Sequence, residues 1–299
     1  MQEERWDERK MKNITIVTDS SAQLSPEELE KLNIHVLPLT ILVDEDTYVD
    51  GETIQKDVFM ERMATAKELP KTSQPPLGRF LETYNKLGEN GGQVISIHMT
   101  ESLSGTVNAA RQAAQMTDTD VTVIDSKFTD RGLSFQVIEA AKLALTGADK
   151  TAILNRIETV RKNTKLFICV RTLENLVKGG RVSRVVGAVS SLMNMKLVFE
   201  LVDGKLESRV KGRGMKPVNK WNQQLKEELQ QTKNVCEVGF SHASDFEYVN
   251  ELNEAFQKAL PMVPMSMDQT SPVIATHTGK GAYAIMYYTD GEKSNNETN

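Results

Sequence analysis

Short apolar runs alternate with amphipathic stretches through the first half of the chain. Ile14-Thr15-Ile16-Val17 is continuous and largely β-branched, the signature of a buried strand. Ser25-Pro26-Glu27-Glu28 joins an N-cap serine, a proline at the first helical position and a capping-box glutamate, predicting a helix that ends near Asn33. Residues 34–43 read as strand and residues 57–66 as helix, with Val58, Met60, Met63 and Ala64 as its apolar positions. Leu77, Phe80, Leu81 and Tyr84 recur at helical spacing, and Glu89-Asn90-Gly91-Gly92 is a turn. Strand 94–98, helix 106–116, strand 121–125 and helix 133–145 follow. The alternation predicts βαβ units on a parallel sheet up to about residue 163.

The second half has a different rhythm. A strand at 166–170 leads to a short helix at 173–177 and a flexible break at Lys178-Gly179-Gly180-Arg181. Apolar runs at 197–202 and 206–210 flank Asp203-Gly204, a strong hairpin signal. A long polar helix at 217–231, a strand at 235–241 and a helix at 246–259 come next. Strands are then expected at 264–267 and 273–276, and the apolar run 283–288 closes the sheet. The expected fold is therefore α/β with two domains. Residues 13–163 form an N-terminal parallel-sheet βαβ domain and residues 164–290 a C-terminal mixed α+β domain, with a ligand site between them. Some exchange of elements between the halves is expected, and residues 1–12 and 291–299 are read as flexible tails.

Composition narrows the class. The 299 residues carry a net charge of −5, which argues against general nucleic-acid affinity. Charge is uneven: eleven Lys/Arg stand against four Asp/Glu from Lys165 to Lys216, a basic segment suited to a phosphate or an acidic partner, or simply to water. Cys169 and Cys236 sit in apolar runs without CxxC spacing and read as free thiols of a reducing compartment. The opening MQEERWDERKMK has no apolar core, and no run approaches membrane-spanning length, so a cytoplasmic location is expected.

Candidate chemistry lies in four hydroxyl-rich stretches, each expected where a strand or loop gives way to a helix. They are Thr18-Asp19-Ser20-Ser21, Thr72-Ser73-Gln74-Pro75, Ser102-Leu103-Ser104-Gly105-Thr106 and Thr276-His277-Thr278-Gly279. A helix start offers free N–H donors and a positive dipole end, so added hydroxyls make a receptor for a small anion without a strong cation. Each cluster reads equally as ordinary helix capping. GxxxxGK[ST] and GxGxxG are absent, and no His/Cys cluster predicts a metal. Ser104 with His277 and Asp125 has the residue types of a hydrolase or acyltransferase triad, although GxSxG is missing.

Taken together, Thr18-Asp19-Ser20, Lys71-Thr72-Ser73-Gln74-Pro75, Ser102-Leu103-Ser104-Gly105-Thr106, Val123-Ile124-Asp125-Ser126, Lys178-Gly179-Gly180-Arg181 and His277-Thr278-Gly279-x-Gly281 resemble the DegV family in order and spacing, over about residues 13 to 289. The resemblance implies a two-domain α/β protein with a long-chain fatty acid between the domains, the non-catalytic fatty-acid-binding (FakB-type) subunit of a bacterial fatty acid kinase. It implies that Thr72, Ser104 and His277 hold the carboxylate, with Ser73 and the Gly105 amide beside them. It matches Arg213, in Lys211-Gly212-Arg213-Gly214-Met215, to the arginine linked to the partner. The implied partners are the fatty acid and an ATP-dependent kinase subunit, with room for transient contact with a membrane surface. No cofactor, metal or nucleic acid is implied. Leu192, Met193, Met195, Leu197, Val198 and Phe199 are candidate tail-lining positions and equally candidate core. A lipid-sensing regulatory protein would share the same site.

Overall fold

The computed structural model describes residues 13–181 and 195–291. The expected tails and the tail-lining candidates Leu192 and Met193 lie outside the described residues, except for Gly291.

Four parallel strands form the first sheet, in the order β2-β1-β6-β7: β1 (Ile14–Asp19), β2 (Ile34–Leu37), β6 (Gln93–His98) and β7 (Asp120–Asp125). The order reverses between β1 and β6, so the crevice beyond their carboxyl ends is the usual ligand position of an open α/β sheet. A mixed six-stranded sheet has the order β10-β9-β8-β13-β11-β12. Its members are β8 (Thr164–Val170), β9 (Lys196–Val202), β10 (Lys205–Gly212), β11 (Val235–His242), β12 (Met265–Gln269) and β13 (Tyr283–Thr289). Only its β11–β12 pair is parallel. A small antiparallel sheet, β4-β3-β5, is built from β3 (Thr40–Val43), β4 (Asp46–Val49) and β5 (Lys71–Ser73).

Helices fill the spaces around the two larger sheets. α3 (Leu77–Gly88) and α4 (Thr106–Ala114) cover one face of the parallel sheet, where Phe80, Tyr84, Ala110 and Ala113 meet Val17 and Val94. α5 (Asp130–Leu145) is the wedge between the sheets: it touches β1 and β6 on one side and β8, β11 and β13 on the other. That double burial explains why Phe135, Val137, Ala140 and Ala141 sit in one core with Ile16, Ile95, Ile168 and Met286. α6 (Lys150–Lys162) packs beside α5. α8 (Lys216–Gln231) and α9 (Phe246–Ala259) cover the far face of the mixed sheet, closing a second core around Val238, Phe240 and Ile285. Shorter helices α1 (Pro26–Lys31), α2 (Lys56–Thr65), α7 (Glu174–Lys178) and α10 (Pro272–Thr278) complete the described chain.

The parallel first sheet and mixed second sheet agree with the expected class. Two readings need correction. Residues 34–43 are two strands in different sheets, because Pro38 removes a donor and the chain turns, Leu39 N–H donating instead to Ser20 Oγ at 3.1 Å. Residues 273–276 are not a strand but most of α10. Ser271 Oγ accepts from Ile274 N and Pro272 occupies the first turn, and these start signals override the β-branched Val273-Ile274. Cys169 and Cys236 are free, the first buried and the second only partly so.

One buried cation ties three elements together. Arg131 on α5 donates to Glu28 of α1 at 2.7 and 3.0 Å, to Glu237 of β11 at 2.7 Å and to the Gln23 carbonyl at 3.0 Å. Removing it leaves two half-buried carboxylates without their partner, so Arg131→Met is expected to cost about 3 kcal/mol in chemical denaturation. Arg131→Lys is expected to recover little, because an ammonium cannot serve both carboxylates in the fork geometry.

Candidate functional site

A cavity of about 340 Å³ opens where the three sheets meet. Each wall is brought by a different element. β5 supplies Thr72 and Ser73, and the segment after it supplies Gln74. The loop leaving β6 supplies Leu103, Ser104 and Gly105 at the start of α4, beyond the carboxyl end of the parallel sheet. α10 supplies Ile274 and His277, and the turn after α7 supplies Arg181. Leu39, Met99, Ile168, Leu176 and Leu206 make the rest of the lining predominantly apolar. All five residues expected at a head-group site therefore border one space.

Two of its polar lining residues meet directly: Thr72 Oγ1 and His277 Nε2 are 2.9 Å apart, across 205 residues of sequence. α10 packs on β3 and β5, which makes the contact local in space. His277 Nδ1 is buried and has no hydrogen-bond partner among the described residues. An orphaned lone pair is tolerated better than an orphaned N–H, so the proton belongs on Nε2, donating to Thr72. Burial, with the nearby Arg181 charge in second place, pushes the imidazole down to about 4, so it is neutral near pH 7. Gly179 gives the ring its room: a Cβ there would lie 2.4 Å from His277 Nδ1 and 2.9 Å from the Asn175 carbonyl.

Ser104 sits immediately before α4. Its Oγ is 2.8 Å from Thr106 Oγ1 and accepts from Thr106 N–H at 3.3 Å. The N-cap residue is Gly105, which has no side chain to offer, so the α4 start keeps donor capacity facing the cavity. Gln74 lies directly over Gly105, its Oε1 2.0 Å from where a Cβ would stand. Arg181 donates to the Gly179 carbonyl and, at 3.3 Å, to the Leu103 carbonyl, stitching the α7 turn to the Ser104 loop.

Several expectations are revised. Of the hydroxyl clusters, only Ser104-Gly105-Thr106 immediately precedes a helix start. Thr72 lies on a strand, and His277 lies in the last turn of α10, which Gly279 ends at φ 81°. The Thr18–Ser21 cluster is structural. Asp19 is fully buried and accepts from His98 Nδ1 at 3.1 Å, Met99 N at 2.9 Å and Ser21 Oγ at 2.6 Å. Burial alone would raise its carboxyl, but these donors hold it below its ordinary value. The wall is also not free of cations, because Arg181 belongs to it. Leu197 and Phe199 are packed in the first core and Val198 in the second, as expected of a strand covered on both faces, and Met195 packs against the first; none of the four is among the cavity-lining residues.

The Ser104–His277–Asp125 triad is not assembled. Asp125 accepts from Lys127 Nζ at 2.6 Å and from Lys127 N at 2.9 Å, away from the cavity, and His277 Nε2 meets Thr72 rather than Ser104. Arg213 is exposed in the turn between β10 and α8. Leu206, near the start of β10, lines the cavity roughly 20 Å from Arg213 at strand rise. Among the described residues no helix is long and apolar enough to cross a membrane.

Residues 13–290 match the family described as "Uncharacterised protein, DegV family". The chain belongs to the DegV family. It is 46% identical over 276 residues to a DegV domain-containing protein of Streptococcus pneumoniae, covering 92% of this chain and 98% of that one. Among solved structures, this DegV-family chain is similar to DegV of Bacillus subtilis, described as a fatty acid binding protein, with a TM-score of 0.86 and 30% identity over 93% of this chain and 99% of that one. It shares the fold of the Streptococcus pneumoniae fatty acid kinase (Fak) B3 protein loaded with linoleic acid, with a TM-score of 0.78 and 23% identity over 93% and 99% of the two chains.

Nuclear magnetic resonance of the His277 imidazole is expected to show a neutral ring down to about pH 4 in ligand-free protein. Because this folded-state value lies below the unfolded value near 6.5, the stability it confers is complete above pH 6.5 and drains away as pH falls toward 4. His277→Gln should flatten that segment of the stability–pH curve. Gly179→Ala should push the ring off Thr72 and move its titration back toward 6.5; an unchanged titration would mean that Gly179 does not position it.

Proposed function

We propose that this protein binds a long-chain fatty acid, with the carboxylate held by Thr72 and Ser104, His277 orienting the Thr72 hydroxyl, and the tail in the apolar part of the cavity. The observation that carries the reading is the Thr72–His277 contact at 2.9 Å inside a mostly apolar cavity that Ser104 and Gly105 also border. With Nε2–H donating to Thr72, the threonine hydroxyl proton is free to turn toward a carboxylate oxygen. The Ser104 hydroxyl and the Gly105 amide are the further donors, and Ser73 stands at the rim. Arg181 contributes positive potential from the wall. A carboxylate taken from water unpaired costs several kcal/mol, so a set of donors is the minimum requirement for such a ligand. Affinity comes mainly from the tail, at about 0.8 kcal/mol per buried methylene before ordering costs. The fatty acid binding described for the Bacillus subtilis relative supports the same reading.

The protein's role in this reading is non-catalytic. It presents the head group to a separate ATP-dependent kinase subunit, which forms the acyl phosphate, and Arg213 on the exposed turn is the partner contact. The absence of a Walker loop fits a subunit that leaves nucleotide binding to its partner. The fold shared with the fatty acid kinase B3 protein is compatible with this division of labour.

Native mass spectrometry of protein purified from bacteria is expected to show a retained fatty acid. In calorimetric titration with palmitate, Thr72→Val and Ser104→Ala should each weaken binding roughly tenfold or more, the worth of one hydrogen bond to a charged acceptor. Unchanged affinity in both variants would remove them from the head-group site. Arg213→Ala should lower acyl-phosphate formation with the kinase subunit and leave palmitate affinity intact; normal turnover would end its partner role.

A further inference from the structure

Next to the main cavity lies a second, much smaller chamber of about 20 Å³. Thr129, Ile168, Ile274 and Thr278 line both spaces. The chamber is otherwise walled by Leu166, Ala282, Tyr283 and Ala284 together with Asp130, Ser241, His242 and Thr270, so a few polar side chains stand in a mostly apolar enclosure. Its volume suits one water-sized group.

Two polar atoms there lack hydrogen-bond partners among the described residues: Thr129 Oγ1 and His242 Nδ1. Their side chains are almost closed to solvent, at 4% and 7% exposure. Thr129 is the N-cap of α5 but makes no side-chain cap bond, and Asp130 beside it has a left-handed φ of 55°. Buried polar atoms are nearly always paired. Two orphans around one void therefore call for a missing group that can both donate and accept.

The other polar groups decide its charge. Asp130 accepts from Ser241 Oγ at 2.9 Å, from Thr270 Oγ1 at 2.8 Å and from Arg131 N at 3.0 Å, so those donors are already engaged. Burial raises the Asp130 carboxyl, and the cation that acts on it, Lys56, is already paired with Asp268, so a second anion here would go uncompensated. Burial pulls the His242 imidazole below its ordinary value, which keeps it neutral and available as an acceptor. A small neutral hydroxyl satisfies all of this, accepting from Thr129 and donating to His242 Nδ1.

We propose that this chamber receives a hydroxyl group carried on the tail of a hydroxylated fatty acid, whose carboxylate stays at Thr72 and Ser104. The proposal rests on the fatty-acid reading of the main cavity. An unsubstituted tail leaves the same position to a single water, which the hydroxyl displaces while reproducing its hydrogen bonds.

The test is a calorimetric comparison, on the full chain, of stearate with monohydroxy 18-carbon acids bearing the hydroxyl at successive carbons of the distal half. One position should bind about tenfold tighter than stearate, the worth of releasing one ordered water whose hydrogen bonds the hydroxyl reproduces. His242→Phe and Thr129→Val should each bring that ratio to within about twofold of one. If stearate binds at least as tightly as every isomer, or if the preference survives both substitutions, this proposal is wrong while the main-cavity reading stands. Failure of stearate and of every isomer to bind would overturn both.

Discussion

The site depends on one meeting of distant segments: the end of α10 lies against β5, and His277 reaches Thr72. Neither residue has a useful environment alone. Thr72 is on a three-residue strand and His277 is in the last turn of a seven-residue helix. Brought together, they form a neutral, directional pair whose shared proton points one way because Nδ1 has nothing to donate to. The Gly179 turn crowds the ring from behind, and burial keeps it uncharged. In the proposed reading such a pocket holds a carboxylate by hydrogen bonds, with Arg181 adding a field rather than a dedicated ion pair.

The larger framework explains how such a pair can be held steady. α5 is buried against both major sheets, and Arg131 pins it to α1 and β11. The crevice at the sheet's reversal point is partly filled by the Asp19–His98 pair, which extends through Ser96 to Tyr84. That network ties the β1 end to Met99, and from there the chain runs five residues to Ser104. The hairpin tip between β9 and β10 rests on the same loop, with Ser102 Oγ donating to the Gly204 carbonyl. The donors therefore stand on supported backbone, while the apolar lining comes from residues with no polar demands.

Much of this was legible in the chain. Periodicity identified most of the helices and the strands of both major sheets, and the capping box at Ser25 has the expected reciprocal bonds. Thr72, Ser104 and His277, which border one cavity, stand out in the sequence through recurrence of motifs rather than through any one spacing. α10 was misread because Val273-Ile274-Ala275 is apolar and β-branched, while the start signal, Ser271-Pro272, stands just outside it. β4 and β5 were missed because three- and four-residue strands carry too little pattern. Arg181 and Gly179 lay in a recognised motif, but their roles arise only where α7 meets α10, and sequence spacing holds no record of that contact. Leu197 and Phe199 show the reverse error: an apolar run offers core and tunnel equally, and packing made them core.

The most direct test of the central claim is a crystal structure of the protein with palmitate bound. The account predicts electron density for the acyl chain along Ile168 and Ile274, with carboxylate oxygens within hydrogen-bond distance of Thr72 Oγ1, Ser104 Oγ and the Gly105 amide, and His277 Nε2 still beside Thr72. A carboxylate lying elsewhere, with Thr72 and His277 bonded only to each other, would contradict it.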